Sequence, residues 1–290
     1  MDSDLYNEID ENALTQRIRS SAGMTSFIAG RTGEELLSRL DLLTLDPKII
    51  VDLGAADGAL GNALIERYPS SEVRCVEPVP GRLEKLPKPR FWQRRRVSAI
   101  SDQPLTQLNL EDQSADLILA NLSMTRYATP DALIKEAARC LHPEGVFSFA
   151  TLGPDTFAEL REAWAFDDTP AEHVASFADM HDVGDALGRA GLREPVLDVE
   201  KLTITYHQLE KLWQDLNAAG ARNVLANRRR TLTSKTRWQT FCQRLMPTTG
   251  PLNITVELVF GHAFGAHANR QKSSSVSEVR IAPGAIRKRQ

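Results

Sequence analysis

The sequence predicts an α/β protein, a doubly wound parallel sheet with helices packed on both of its faces. Three observations carry that prediction. Short apolar runs alternate with helical patterns from Ile49 to Leu152, an order that builds βαβ units. A glycine-bearing turn, DLGAADG (Asp52–Gly58), joins the first apolar run to the first helical pattern. An acid, Glu77, closes the second run, in VRCVEP.

The elements follow in order. Residues from about Leu14 to Leu43 read as helical, with Leu36, Leu37 and Leu40 at helical spacing. Strands are expected at Ile49–Leu53, Val73–Val76, Val97–Ile100 and Ala115–Ala120, with a helix from about Gly58 to Tyr68. A helix over about Pro130–Leu141 should stop at HPEG (His142–Gly145), before the strand VFSFATL. Beyond it the pattern changes. Helices are expected from near Pro154, over Phe177–Ala190, near Gln208–Ala219 and over Thr233–Leu245. Two long strands, PVLDVEKLTITY and NITVELVFGHAF, bring the total to seven.

Bulk properties exclude several classes. A hydrophobic fraction of 42% and a charged fraction of 25% suit a globular chain with a real core. No stretch approaches the roughly 20 apolar residues of a membrane span. The acidic opening MDSDLYNEIDEN lacks the apolar run of a secretory signal. Cys75, Cys140 and Cys242 are odd in number and without metal-ligand spacing. They suggest reduced thiols and a cytoplasmic protein. The net charge of −3 conceals an asymmetry. Residues 201–290 carry 15 Lys/Arg against 4 Asp/Glu, leaving 20 against 34 in the first 200. A basic final third suggests an acidic partner or a solvated basic face. Nucleic acid is not favoured, because no aromatic residues interleave the basic cluster.

The turn after the first strand narrows the ligand. A dinucleotide fingerprint needs a glycine midway, so that the backbone can approach a pyrophosphate. Here that position is Ala56, between Gly54 and Gly58. A nucleoside without phosphates demands less there, and S-adenosylmethionine (AdoMet) is such a ligand. Asp52 is placed to face its cationic methionine part, and Glu77 to accept hydrogen bonds from both ribose hydroxyls. Asp102, after the third strand, is the kind of residue that meets an adenine amino group. Asn121 ends the fourth strand, on the carboxyl edge where ligands of such sheets bind.

With ADLILANL, LHPEGVFSFATL and this turn, the first 150 residues resemble class I AdoMet-dependent methyltransferases, which are Rossmann-like. Four later segments resemble the malonyl-[acyl-carrier protein] O-methyltransferases of biotin synthesis, the BioC family. They are FATLGPDTFAELREAW, SFADMHDVGDALGRAGL, LNAAGARNVLANRRRTLT and NITVELVFGHAF. The resemblance covers most of residues 14–265. The same segments are similar to a sister family, the arginine-hydroxylating assembly factor of respiratory complex I. A non-catalytic module on this fold is the third alternative. The chain departs from the family pattern at three places: Ala56, the SMTRY stretch in place of a His-Trp pair, and Ala22 with Phe27 in place of an active-site tyrosine.

The resemblance implies a seven-stranded, mostly parallel sheet with a helical cap. It implies an N-terminal cover over residues 1–45 and a methyltransferase domain over 46–265. Helical insertions fall at about 154–190 and 207–246, and residues 266–290 form a mobile basic tail. The protein is expected to be a monomer. The implied reaction moves a methyl group from AdoMet to the free carboxylate of a malonyl thioester on acyl carrier protein. That carboxylate is ionised at neutral pH, so no general base is needed. An anionic substrate still wants a cation, with Arg126, Arg161 and Arg222 as candidates. Arg228, Arg229 and Arg230 are the densest basic run, expected on an exposed turn as the docking face for the acidic carrier protein. His142 and His173 are expected to be surface histidines, and Trp164, Trp213 and Trp238 packing residues.

Overall fold

The computed structural model describes residues 8–24, 26–83, 86, 97–101, 103–127, 129–167 and 171–266. Asp102 and residues 267–290, expected as an adenine contact and a basic tail, lie outside the described residues.

Seven strands form one sheet in the order β3-β2-β1-β4-β5-β7-β6. They are β1 (Ile49–Leu53), β2 (Glu72–Glu77), β3 (Val97–Ser101), β4 (Ala115–Asn121), β5 (Leu141–Leu152), β6 (Arg193–Tyr206) and β7 (Leu252–Phe264). The first five run parallel, and β7 lies antiparallel between β5 and β6. The chain winds outward from β1 to β3, then returns to place β4 on the other side of β1. A crevice therefore opens beyond the carboxyl ends of β1 and β4, the usual ligand position in such sheets.

Side-chain alternation divides the core between the two faces. Ile50, Leu117 and Leu119 pack on one face with Leu36, Leu64 and Phe241. Val51, Leu53, Ile118 and Ala120 pack on the other with Leu133, Ala137, Val183 and Leu187. The helices that supply these residues are α2 (Phe27–Arg39), α3 (Ala59–Arg67), α4 (Asp131–Cys140), α6 (Met180–Arg189) and α8 (Lys235–Leu245). Three more, α1 (Glu11–Ser20), α5 (Ala158–Trp164) and α7 (Leu209–Ala218), complete the α-helices among the described residues. Burial on both faces is why the central strands read as continuous apolar runs.

Three expectations require correction. The helical stretch Leu14–Leu43 is two helices and a short 3-10 turn, Leu40–Leu42. Gly23 adopts a left-handed φ of 84°, and Ser26 starts the second helix by accepting a hydrogen bond from Ala29 N–H. HPEG, expected as a helix stop ahead of the strand, is already part of β5, as an irregularity opposite Ala115–Leu117. Arg193 donates to Pro143 O at 2.9 Å and Gly265 N–H to Gly145 O at 3.0 Å, which hold those residues at the sheet. The helix expected near Pro154 begins only at Ala158. Glu257 captures the preceding turn: its carboxylate accepts from Asp155 N–H at 2.7 Å and its carbonyl from Gly153 N–H at 2.9 Å.

Candidate functional site

The turn after β1 is shaped by close approach. Gly54 N–H and Ala55 N–H both donate to Val76 O, at 2.8 and 3.0 Å, drawing the turn against the end of β2. Gly54 and Gly58 have φ of 75° and 84°. A Cβ on Gly54 would meet Ser123 Cβ at 2.6 Å, and one on Gly58 would meet Leu86 Cδ2 at 2.2 Å. Neither position admits a side chain. Ala56 is also left-handed, at φ 51°, which costs an alanine what a glycine avoids. That twist directs Ala56 N–H onto Glu77 Oε2 at 3.0 Å.

Above this turn lies a cavity of about 860 Å³. Its polar wall includes Asp52, Asp57, Arg82, Asn121 and Arg126. Its aromatic wall includes Trp164, His173, Phe177, Trp213, Trp238 and Phe241. Residues of α1 and α2, among them Ile18, Ala29 and Gly33, line it as well. Residues 8–10 pair with 224–226: Asp10 N–H donates to Val224 O and Ala226 N–H to Glu8 O, both at 2.8 Å. This ties the segment before α1 to the loop following α7, and Leu225 and Ile9 both line the cavity.

Asp52 and Glu77, on neighbouring strands, are both buried. One Asp52 oxygen, Oδ2, has no hydrogen-bond partner among the described residues. Burial, and secondarily the charge of Glu77, pushes the Asp52 carboxyl up to about 7, against the pull of Arg126. Glu77 is fully satisfied. It accepts from Val79 N–H at 3.2 Å, from Ala56 N–H, and from both Nη atoms of Arg126 at 3.1 Å.

The sequence-predicted residues are brought together unevenly. Asn121 lines the cavity, but its side chain is engaged by α2: it accepts from Thr32 Oγ1 at 2.6 Å and donates to Ala29 O at 2.9 Å. Of the three candidate arginines, Arg126 pairs with Glu77, and Arg222 lines the cavity from an exposed loop. Arg161 does not reach it. Its guanidinium donates to the carbonyls of Ala175 and Pro154. The run Arg228–Arg230 is not uniformly exposed as expected. Arg228 donates to Asp10 at 2.8 Å with its side chain 21% exposed, whereas the Arg230 side chain is 70% exposed. Arg229 is half-buried, and its Nε has no partner among the described residues. Ala22 and Phe27 are exposed and do not line the cavity.

His142 is exposed, as expected, but His173 is a correction. Its ring stacks on Trp164 at 3.9 Å, and its Nε2 lies 3.1 Å from Asp167 Oδ2. Trp164 stacks in turn on Phe241 at 4.3 Å, and Trp213 and Trp238 complete the aromatic wall. Neither Thr32, Arg82 nor the His173–Asp167 pair was legible beforehand. The signal that could have found Thr32 is the run of small residues Ala29, Gly30 and Gly33, which lets α2 come close to the strand ends. A Cβ on Gly33 would stand 3.3 Å from Asn121 Nδ2.

Comparison with known proteins places this geometry in a family. The methyltransferase domain family matches residues 26–194. The malonyl-[acyl-carrier protein] O-methyltransferase of Laribacter hongkongensis is 39% identical over 241 residues, 80% of each chain. That of Halorhodospira halophila is 36% identical over 288 residues, 97% of each. That of Methylovorus sp. is 34% identical over 98% of this chain and 99% of its own. Among solved structures, BH2331 from Bacillus halodurans C-125 aligns with a TM-score of 0.57 at 13% identity, covering 80% of this chain and 99% of its own. The YcgJ protein of Bacillus subtilis aligns at 0.56, also at 13% identity, over 80% and 98%. These two share the fold. The relatives favour a carboxyl methyltransferase over the hydroxylase-like and non-catalytic alternatives. The chain is an α/β methyltransferase and belongs to the malonyl-[acyl-carrier protein] O-methyltransferase family.

Proposed function

We propose that the protein binds AdoMet at the β1–β2 edge and esterifies the free carboxylate of a malonyl thioester carried by acyl carrier protein, a step that serves biotin synthesis. The observation that carries this reading is a glycine-bounded turn that lines one large cavity, with the buried acids Asp52 and Glu77 at the ends of the two adjoining strands. The residues suit the cofactor. Glu77 would take the ribose hydroxyls in place of Arg126, the unpartnered Asp52 oxygen suits a cationic group, and the turn lines the cavity with Gly54, Ala55 and Ala56. When bound, AdoMet supplies an electrophilic methyl group on a sulfonium.

The chain's own contribution is position and dryness. A carboxylate needs no deprotonation at neutral pH, so the residues have only to align it with the methyl carbon and remove its water. The aromatic wall and the cover formed by α1 and α2 suit that second task. No helix among the described residues is long and apolar enough to cross a membrane. Arg230, exposed in the basic final third, fits an acidic carrier protein by charge.

Calorimetry with S-adenosylhomocysteine tests the cofactor assignment. The wild type should bind it, and Glu77→Gln should weaken binding by roughly 1–3 kcal/mol, through poorer partners for the ribose hydroxyls. No binding by the wild type would overturn the assignment.

A further inference from the structure

The Glu77 carboxylate is fully buried, and an ionised carboxylate offers about four acceptor positions. All four are filled. Two donors are the backbone N–H groups of Ala56 and Val79, fixed by the turn. The other two come from one guanidinium, that of Arg126, in a fork-to-fork pair with both distances 3.1 Å. Arg126 closes the short 3-10 turn Ser123–Arg126 after β4. Its Cζ lies 3.5 Å from where a Gly54 Cβ would stand, and it lines the cavity, whereas Glu77 does not. Arg126 therefore stands between the buried acid and the open space.

A ribose that reaches Glu77 must take the two positions Arg126 holds. The displaced guanidinium is then a cation at the wall of a largely apolar chamber, where an unpaired charge is costly. Asp52, with its unpartnered Oδ2, is one alternative anion nearby, but under the reading above it faces the cofactor's own cation. Asp57 and Glu34 also line the cavity, and the cofactor has a carboxylate of its own, but the substrate's free carboxylate is the one anion whose presence differs between acyl groups.

Resting on that reading, we propose that Arg126 is the specificity-determining residue for the free carboxylate, exchanged between two anions. It pairs with Glu77 until the nucleoside diol takes that acid, and it then turns to the acyl substrate's carboxylate. Three consequences follow from charge alone. The cofactor binds first, because it frees the cation. A thioester without a free carboxylate leaves the guanidinium unpaired and is rejected. Esterification neutralises the substrate, so Arg126 returns to compete for Glu77 and favours release of the spent cofactor.

The test measures S-adenosylhomocysteine affinity by calorimetry, with malonyl-pantetheine or acetyl-pantetheine present or absent. For the wild type, malonyl-pantetheine should tighten binding severalfold and acetyl-pantetheine should not. Arg126→Met should bind S-adenosylhomocysteine roughly tenfold more tightly than the wild type, because no ion pair has to be broken. It should also lose the malonyl enhancement and show a raised KM for the malonyl substrate, while Arg126→Lys should restore part of the enhancement. Equal effects of the two thioesters on the wild type would overturn the exchange while leaving the cofactor assignment intact. That arm needs no variant to fold. A folded Arg126→Met protein that binds no more tightly would also overturn it. Absence of binding to the wild type would remove the cofactor assignment itself, and the exchange with it.

Discussion

Asp52 sits at the carboxyl end of β1, buried beside Glu77, with one oxygen unpaired. Burial raises its carboxyl to about 7 from an ordinary 3.8, so the folded protein holds a proton the unfolded chain has lost between those limits. More protons bound to the folded state means that stability falls as pH rises through this window. Asp52→Asn removes the titration. The variant should melt higher than the parent at about pH 8, by an amount on the order of a few kcal/mol, with the advantage shrinking towards about pH 4. Thermal melting at both pH values checks this, and a shift of equal size at each would contradict it. At this scale the sequence was informative where a residue type is forced. Gly54 and Gly58 were readable because no side chain fits, and Glu77 because an acid at that strand end has few other uses. Arg126 was named only as one cation among three, since its pairing with Glu77 depends on two segments 49 residues apart.

Elements were legible where periodicity decides and misread where distant partners do. The seven strands appear close to their expected positions, because a run buried on both faces has few alternatives. HPEG and the stretch after Pro154 have local turn and helix signals, yet Arg193 and Glu257 hold them otherwise. The break marked by Gly23 and Ser26 divides one helical reading into α1 and α2, and it leaves α2 to close on the sheet. Its attachment is specific. Thr32 Oγ1 donates to Asn121 Oδ1 from a fully buried position, and Arg31 and Arg39 reach Glu200 and Asp198 on β6. Thr32→Val keeps the shape but removes the donor, leaving Asn121 Oδ1 without its hydrogen bond at a cost of about 1–3 kcal/mol. Backbone amides of α2 should then exchange faster, with those of β4 little changed. Hydrogen exchange by mass spectrometry checks this, and an unaltered α2 would show that its remaining contacts, the salt bridges, the Asn121 Nδ2–Ala29 O bond and the packing of Leu36, suffice to hold it.

For the molecule as a whole, the alternation of runs implied the parallel sheet, but the place of β7 between β5 and β6 is set by long-range pairing. The cavity is likewise a property of the whole. Its walls come from the strand ends, the cover helices and the loop after α7, which are far apart in sequence. Charge is distributed on the same scale, with the basic final third opposite in sign to the rest. As a member of the malonyl-[acyl-carrier protein] O-methyltransferase family, this assembly should methylate a free carboxylate on a carrier-bound acyl group. The direct measurement gives the purified protein labelled AdoMet with malonyl-carrier protein and, separately, acetyl-carrier protein. The malonyl form should take up label as an ester that mild alkali removes, and the acetyl form should take up almost none. Equal labelling of the two, or labelling of neither by protein that binds S-adenosylhomocysteine, would rule out methyl transfer to the free carboxylate.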